Sequence, residues 1–492
     1  MSTSRAATSH VLGLTADGQA GRASSPAGGA ADKGIVAKAN GFTDVFGTTL
    51  EHFLPLTRTA LIDRLSASEL WPGQPVREVR RFFTYLNFWR QNSYTARLTR
   101  LEQVYEPFNP DSDLLVTRKY TPEERAEMQG QLVEQVEAIL KGANYRSMDP
   151  SQISMLLNHE SHYGLDLEVD TTAFERLIIC YRGATTRRAE RRNKKRLFLT
   201  KEEFDVPIFR RLFILFKLKP FAVRAAEIAK QRSIPLKDAE KWVRKARASL
   251  PVEISDELVY MKLFKNIPRT DIEMVFPNTR IKFRMMDKVK FGVTAGGGLA
   301  TGVIGTATKV AAATTPIGMA GAVVALGGVA ARQANKFFNQ RNKYMVTMAQ
   351  NLYFHSLADN RGVLTLLADR AAEEDVKEEF LLYSVLAKMP AHVSEVHDVD
   401  HAIERWLKAQ FGIDVDFDVH NALERLMADG VVSEGSDGVL RALPPAEAAE
   451  RIDHLWDSYL DHLPGVHSQG TELDIDCAVP NGDATGCEIE EA

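Results

Sequence analysis

His159, Glu160 and His162 stand together in NHESHYG, and their types could bind a metal or move a proton. A zinc-binding helix needs two histidines four residues apart, so that both rings reach one ion from one face. Here the spacing is three and a loop is near, so a surface pair is expected and no metal is assigned. The stretch AGGGLATG is rich in glycine, but no clear strand precedes it, which argues against a dinucleotide loop. GVIGTATK lacks the Gly-Lys-Ser/Thr ending that grips phosphates, and no GxSxG elbow occurs. No catalytic residue and no cofactor is assigned. The cysteines are Cys180, Cys477 and Cys487, with no CxxC or Cys/His cluster among them. Neither a disulfide framework nor a structural zinc is supported, and the reducing side of a membrane is expected.

Charge carries more information. The net charge of −4 conceals an asymmetry. Residues 181–290 hold 29 Lys/Arg against 13 Asp/Glu, a surplus of +16. Residues 373–463 hold 7 against 21, which is −14, and the tail beyond adds seven acids. A basic middle suggests an anionic partner, and an acidic C-terminal third argues against nucleic acid there. The densest basic run, RGATTRRAERRNKKR, spans Arg182 to Arg196 and reads as a loop between strands. Its Arg187, Arg188, Arg191, Arg192, Lys194 and Lys195, with Lys288 and Lys290, are candidate contacts to anionic lipid headgroups. A merely solvated loop is the plain alternative, and nucleic-acid phosphate ranks third.

The 41 residues from Phe291 to Ala331 carry a single charge, Lys309. Arg280, Lys282, Arg284, Lys288 and Lys290 precede them, and Arg332, Lys336, Arg341 and Lys343 follow. One helix of that length would rise about 60 Å, whereas a bilayer core is about 30 Å thick. Division at Lys309 gives Phe291–Thr308 and Val310–Ala331, about 27 Å and 33 Å long, and puts the lysine at a turn where it snorkels. Small residues four apart, such as Gly298 with Gly302 and Gly321 with Ala325, let helix backbones approach closely in lipid. Pro316 is expected to kink the second span. A buried soluble hairpin is the alternative. Basic flanks on both sides predict that both termini and the bulk of the chain lie on the cytoplasmic side, with an organelle inner membrane as the alternative.

Around this stretch, spacing predicts the elements. TLEHFLPLTRTALIDRLS and VREVRRFFTYLNFWRQNSYTARLTRLEQVYEPF repeat apolar residues at helical spacing. TPEERAEMQGQLVEQVEAILKGA opens with a Thr cap, a Pro and two acids. LDLEVD, FERLIICYRG, KRLFLT, VPIFRRLFILFKLK, DELVYMKLFKNI and TRIKFRM read as strands, interrupted by one helix over 221–249. Ile267 to Asp271 reads as a strand ending at a helix start capped by Thr270 or Asp271, with Glu273 in its first turn. Helix is expected to resume around the neutral stretch and to continue through NKYMVTMAQNLYFHSLADNRGVLTLLADRAAEEDVKEEFLLYSVLAKM. A helix ending at Asp429-Gly430, two strands around Gly435 and Gly438, and a closing helix form a winged-helix pattern.

KLFKNIPRTDIEMVFPNTRIKFRMMDKVKFG resembles the juxtamembrane signature of the transmembrane protein 143-like family, whose domain has no assigned function. Asn266, Pro268, Arg269, Asp271, Glu273 and Pro277 carry that motif, and structural duty is expected of them. EHFLPLTRTALIDRL, RLTRLEQVYEPFNPDSD, LEVDTTAFERLIICYRG and NLYFHSLADNRGVLTLLADRAAEEDVKEEFLLYSVL follow the family in the same order, so the likeness covers roughly Glu51 to Tyr459. It implies an integral membrane protein with a large soluble part, and it brings no reaction, ligand or catalytic residue.

The expected fold is α+β and mostly helical. It comprises a leader without fixed structure (1–40), a helical region (41–160), an antiparallel basic α+β domain (161–290), a transmembrane hairpin (291–331), a helical connector (332–372), an acidic winged-helix-like domain (373–462) and an acidic tail (463–492). The expected function is interaction, as an adaptor or membrane-organising module that meets the bilayer, its anionic lipids and a protein partner bound by the C-terminal domain. An enzyme acting on lipid and a membrane-tethered nucleic-acid binder are the alternatives.

Overall fold

Helix α1 (Arg58–Leu65) and the long α2 (Val76–Tyr105) form where apolar residues recur three and four apart. On α2, Val79, Phe82, Phe83, Leu86, Tyr94, Leu101 and Tyr105 turn inward. Helix α3 (Pro122–Gly142) starts as its sequence predicts: Glu124 N–H donates to Thr121 Oγ1 at 3.2 Å, and the Glu124 carboxylate accepts from Thr121 N–H at 2.7 Å. The computed structural model describes residues 50–113, 119–149, 152–153, 157, 166–192, 201–248, 250, 254–277, 279–282 and 354–462.

The short strand β1 (Arg146–Ser147) leads to β2 (Asp166–Val169), then to the long pair β3 (Phe174–Arg192) and β4 (Lys201–Leu218). Helices α4 (Phe221–Arg232) and α5 (Leu236–Arg247) follow, then β5 (Tyr260–Pro268), a 3-10 run (Arg269–Val275) and β6 (Thr279–Lys282). After residue 353 come β7 (Ser356–Asp359) and the 27-residue α6 (Asn360–Leu386). The larger sheet is antiparallel throughout, in the order β1-β3-β4-β5-β7, and β2 pairs with β6 in a separate ribbon.

The central strands are buried on both faces, which explains their nearly unbroken apolar run. Cys180, Phe213, Leu215, Met261 and Leu263 pack against α2, α3 and the first half of α6. Ile179, Tyr181, Leu212, Ile214, Phe216 and Phe264 line the opposite face with Ile272, Val275 and Phe276. A third core joins α1 and the start of α2 to the second half of α6 and to the C-terminal elements. Each fully buried Leu or Phe there stabilises the fold by about 1.5–3 kcal/mol.

The C-terminal elements are β8 (Ala391–His392), α7 (Val396–Phe411), α8 (Val419–Ala428), β9 (Val432–Glu434), β10 (Val439–Ala442) and α9 (Pro445–Asp457). Their sheet runs β8-β10-β9, and α8 ends at Asp429-Gly430 as expected, with Gly430 at φ +71°.

Several expectations need correction. The single helix over 221–249 is two, because Ser233 takes φ +52° and Pro235 has no N–H to continue the ladder. SLAD is not helical but forms edge strand β7 against β5, where its backbone groups complete the ladder. The helix start expected at Thr270 or Asp271 is instead a 3-10 run from Arg269, with Pro268 in the cap position and a break at Asp271. Helix α6 runs unbroken across the division expected at 372/373.

No helix among the described residues is long and apolar enough to cross a membrane. The expected spans, with Phe291, Gly298, Gly302, Lys309, Pro316, Gly321 and Ala331, lie outside the described residues, as do Lys194, Lys195, Lys288, Lys290, His159, Glu160 and His162.

Candidate anion-binding site

The sheet is kinked at one level. Arg182 on β3 pairs with Arg211 on β4, and Arg211 pairs with Lys265 on β5. One step further, Gly183 and Asn266 flank Arg210 with left-handed φ of +72° and +54°. Beyond them the ladder resumes at Ala184–Phe209 and Phe209–Ile267. In a regular strand adjacent side chains point to opposite faces. Here Phe209 and Leu212, three apart, share one core, so the alternation resets between them and the consecutive Arg210 and Arg211 both line one cavity. Gly183 is required at this level. A Cβ there would lie 3.0 Å from Arg210 Cδ and 3.3 Å from Phe53 Cε1, on a φ that L-residues avoid.

The cavity measures about 290 Å³ and lies between this kink, residues 53–57 and α6. Arg182, Arg210, Arg211, Arg370 and Lys377 bring five cations to its wall, against the carboxylates of Glu373 and Glu374. Lys377 is fully engaged, donating to Leu54 O at 2.7 Å, Leu56 O at 3.2 Å and Glu374 Oε1 at 2.8 Å. Leu54 N–H donates in turn to Glu374 Oε2 at 3.0 Å, so the pair fixes the extended segment on α6. Arg370 pairs with Glu373. Arg182 lies over the rings of Phe53 and Tyr145 at 4.9 Å and 5.2 Å and donates to Ala143 O at 3.1 Å, with Glu374 at 3.6 Å.

Arg211 differs. Among the described residues its hydrogen bond is to the carbonyl of Arg210 at 2.9 Å, and no carboxylate pairs with it. Burial pushes its pKa down, and the like charges of Arg182, Arg370 and Arg210 push the same way. Burial also lowers Arg210, with the charge of Glu51 opposing. The site is electropositive, half-open and built from three separate parts of the chain.

A second ionic cluster lies on another face of the same turns of α6, and it is buried. Asp375, Glu378 and Glu379 are buried there beside Asp429 from the end of α8. Arg425 on α8 reaches Asp375 at 3.1 Å, Glu378 at 2.8 Å and Glu379 at 2.6 Å. Arg90 on α2 reaches Glu379 at 3.0 Å and Asp429 at 2.6 Å. Tyr94 Oη donates to Asp375 at 2.7 Å and Asn144 donates to Glu378 at 3.1 Å. Burial pushes Glu378 up to about 8 against the pull of Arg425. This cluster joins α2, α6 and α8, and both of its described cations, Arg90 and Arg425, are taken by carboxylates.

A third group, Asp400, His401 and Glu404 on α7, could offer one ligand atom each within 4.8 Å of one another. His401 Nδ1 already lies 2.9 Å from Glu404 Oε2, so two of the three meet each other.

The residues singled out in the sequence fall into two places. Arg187, Arg188, Arg191 and Arg192 belong to strand β3 rather than to a loop, because β3 stays paired with β4 as far as Arg192–Lys201. Among the juxtamembrane residues, Asn266 faces the kink, Pro268 ends β5 opposite Ile208, and Pro277 precedes β6. Glu273 is buried in the 3-10 run, which pushes its carboxyl up to about 7. None of these motif residues lines the arginine cavity. The cavity was missed because its cations lie far apart in sequence. The usable signal was Arg210-Arg211, two charges inside an otherwise apolar strand.

Residues 174–362 match a family described as "Protein of unknown function (DUF3754)". The match contains Arg182, Arg210 and Arg211 and stops before Arg370 and Lys377, and it brings no link to the transmembrane protein 143-like family. No solved structure matches this chain.

Proposed function

We propose that this protein is a membrane-associated interaction module in which a basic β arm meets anionic headgroups. The observation that carries the reading is the reach of the β3–β4 pair. Strand β5 accompanies β4 only as far as Ile208, whereas β3 and β4 stay paired to Arg192 and Lys201. A two-stranded arm therefore continues past the sheet with Arg187, Arg188, Arg191 and Arg192 along it. Each basic residue near an anionic leaflet contributes about 1 kcal/mol of attraction. His355 Nδ1 lies 2.8 Å from Lys265 O, so the chain returning from 283–353 enters β7 on the side of the sheet from which the arm leaves. That supports one surface shared by the arm and the neutral stretch, which in this reading is a two-span anchor of the transmembrane protein 143-like kind.

In the same proposal the C-terminal unit is winged-helix-like and binds protein rather than nucleic acid. The β8-β10-β9 order behind two helices supports the first part. The second is supported by Arg425, the base of the expected recognition helix, whose guanidinium is turned into the acids of α6. The test is carbonate extraction of membranes bearing the full chain or a variant lacking Phe291–Ala331. Retention of the full chain and release of the variant are expected; release of both sinks the anchor. Flotation with phosphatidylserine vesicles then reads the arm, where replacing its four arginines by Gln is expected to reduce binding at low salt.

A further inference from the structure

We infer that the cavity between the sheet kink, residues 53–57 and α6 is a binding site for a phosphate group, carried by a lipid headgroup or by a soluble phosphate compound. The inference stands apart from the membrane reading, because the described residues that line the cavity lie outside the arm.

The charges set the ligand's sign. Glu373 takes Arg370 and Glu374 takes Lys377, so among the described residues Arg182, with Glu374 only at 3.6 Å, and Arg211 bring charge to the wall without a carboxylate of their own. Glu51, whose Oε2 accepts from Gly183 N–H at 3.3 Å, sets its charge against Arg210. An excess of carboxylates can correct itself by keeping a proton, but guanidinium cannot shed one in a protein. Compensation here has to come from an anion. A phosphate dianion carries two charges, and guanidinium forks match its oxygens in bidentate fashion.

Geometry separates this site from structural arginines in the same molecule. Arg90 and Arg425 each find carboxylates at 3.1 Å or less, whereas Arg211 has none among the described residues. The backbone also departs from the regular sheet to build the site. Two left-handed residues, one of them the non-glycine Asn266, reset the strand so that adjacent arginines face one cavity. Strain of that kind collects where a structure holds side chains for a ligand. Arg182 is held in advance by the rings of Phe53 and Tyr145 and by Ala143 O, so little side-chain entropy is lost on binding.

The test uses the purified full chain and two probes: inorganic phosphate, and neutral vesicles doped with a phosphoinositide. Inorganic phosphate is compared with chloride at matched ionic strength by thermal unfolding and titration calorimetry. The variants are Arg211→Gln, Arg370→Gln and, as a control, Arg187→Gln with Arg188→Gln. Either probe is expected to bind wild type, and Arg211→Gln to weaken it by about tenfold or more, the loss of one charge-assisted hydrogen bond. The arm control should bind inorganic phosphate unchanged. Binding of inorganic phosphate identifies a soluble source, and binding of phosphoinositide vesicles alone identifies a headgroup; both support the site. Wild-type affinity in Arg211→Gln overturns it, as does failure of both probes on wild type. Should Arg211→Gln not fold, Arg370→Gln is read in its place by the same criteria.

Discussion

Two ionic clusters share helix α6 and solve opposite problems. On one face of its middle turns, Arg370 and Lys377 join Arg182, Arg210 and Arg211 around an open cavity whose described lining holds cations in excess. On another face of the same turns, Asp375, Glu378 and Glu379 join Asp429 around Arg90 and Arg425, buried and with carboxylates in excess. The acidic cluster can shed part of its excess, since burial pushes Glu378 up to about 8 and a proton held there removes one negative charge. The basic one has no such option. A buried charge cluster that closes on itself is structure, and one whose surplus cannot titrate away waits for a counter-charge.

The contrast can be broken most forcefully at Arg425. Replacing it with Ala strands Asp375, Glu378 and Glu379 in the interior, and urea unfolding is expected to show about 3–5 kcal/mol of lost stability. A loss below about 1 kcal/mol would put the cluster in water. Glu378→Gln sharpens the same point through pH. Because the folded pKa of Glu378 lies above its ordinary 4.5, its contribution is complete below that value and is lost as pH rises through about 8. Urea midpoints across that window should fall in wild type and flatten in Glu378→Gln, a difference of the order of 2 kcal/mol. On the basic side, Gly183→Ala meets Arg210 and Phe53 and keeps an unfavourable φ, so about 1–2 kcal/mol is expected, together with weaker phosphate binding. Arg211→Gln should move stability least, within about 0.5 kcal/mol and toward greater stability without ligand, because it relieves repulsion. A large destabilisation there would make Arg211 structural.

Much of the fold was legible where local chemistry decides it. The capping box at Thr121, the inward stripe of α2 and the apolar strands β4 and β5 are all written in spacing. What failed depended on distant partners. SLAD becomes a strand because β5 offers it an edge, and nothing within SLAD says so. The basic run after Gly183 looked like a loop because its pairing partner lies beyond residue 200. The arginine cavity needs the register of three strands, and the buried acids of α6 resemble a solvated helix face until Arg90 and Arg425 arrive from elsewhere. The expected spans over 291–331 lie outside the described residues.

The position of α6 in the chain also sets a timetable for synthesis. Phe83 packs on Phe380 at 4.7 Å between ring centroids, and Leu132 and Val136 share a core with Val363 and Leu367. The ribosome makes the first partners roughly 230 to 300 residues before the second, at about 5–20 residues per second, a wait of about 12–60 seconds. During that time the apolar stripes of α2 and α3 have no native partner from α6. The nascent chain is therefore expected to depend on holding chaperones, and any truncation before Leu386 to reach the aggregated fraction rather than a smaller folded product.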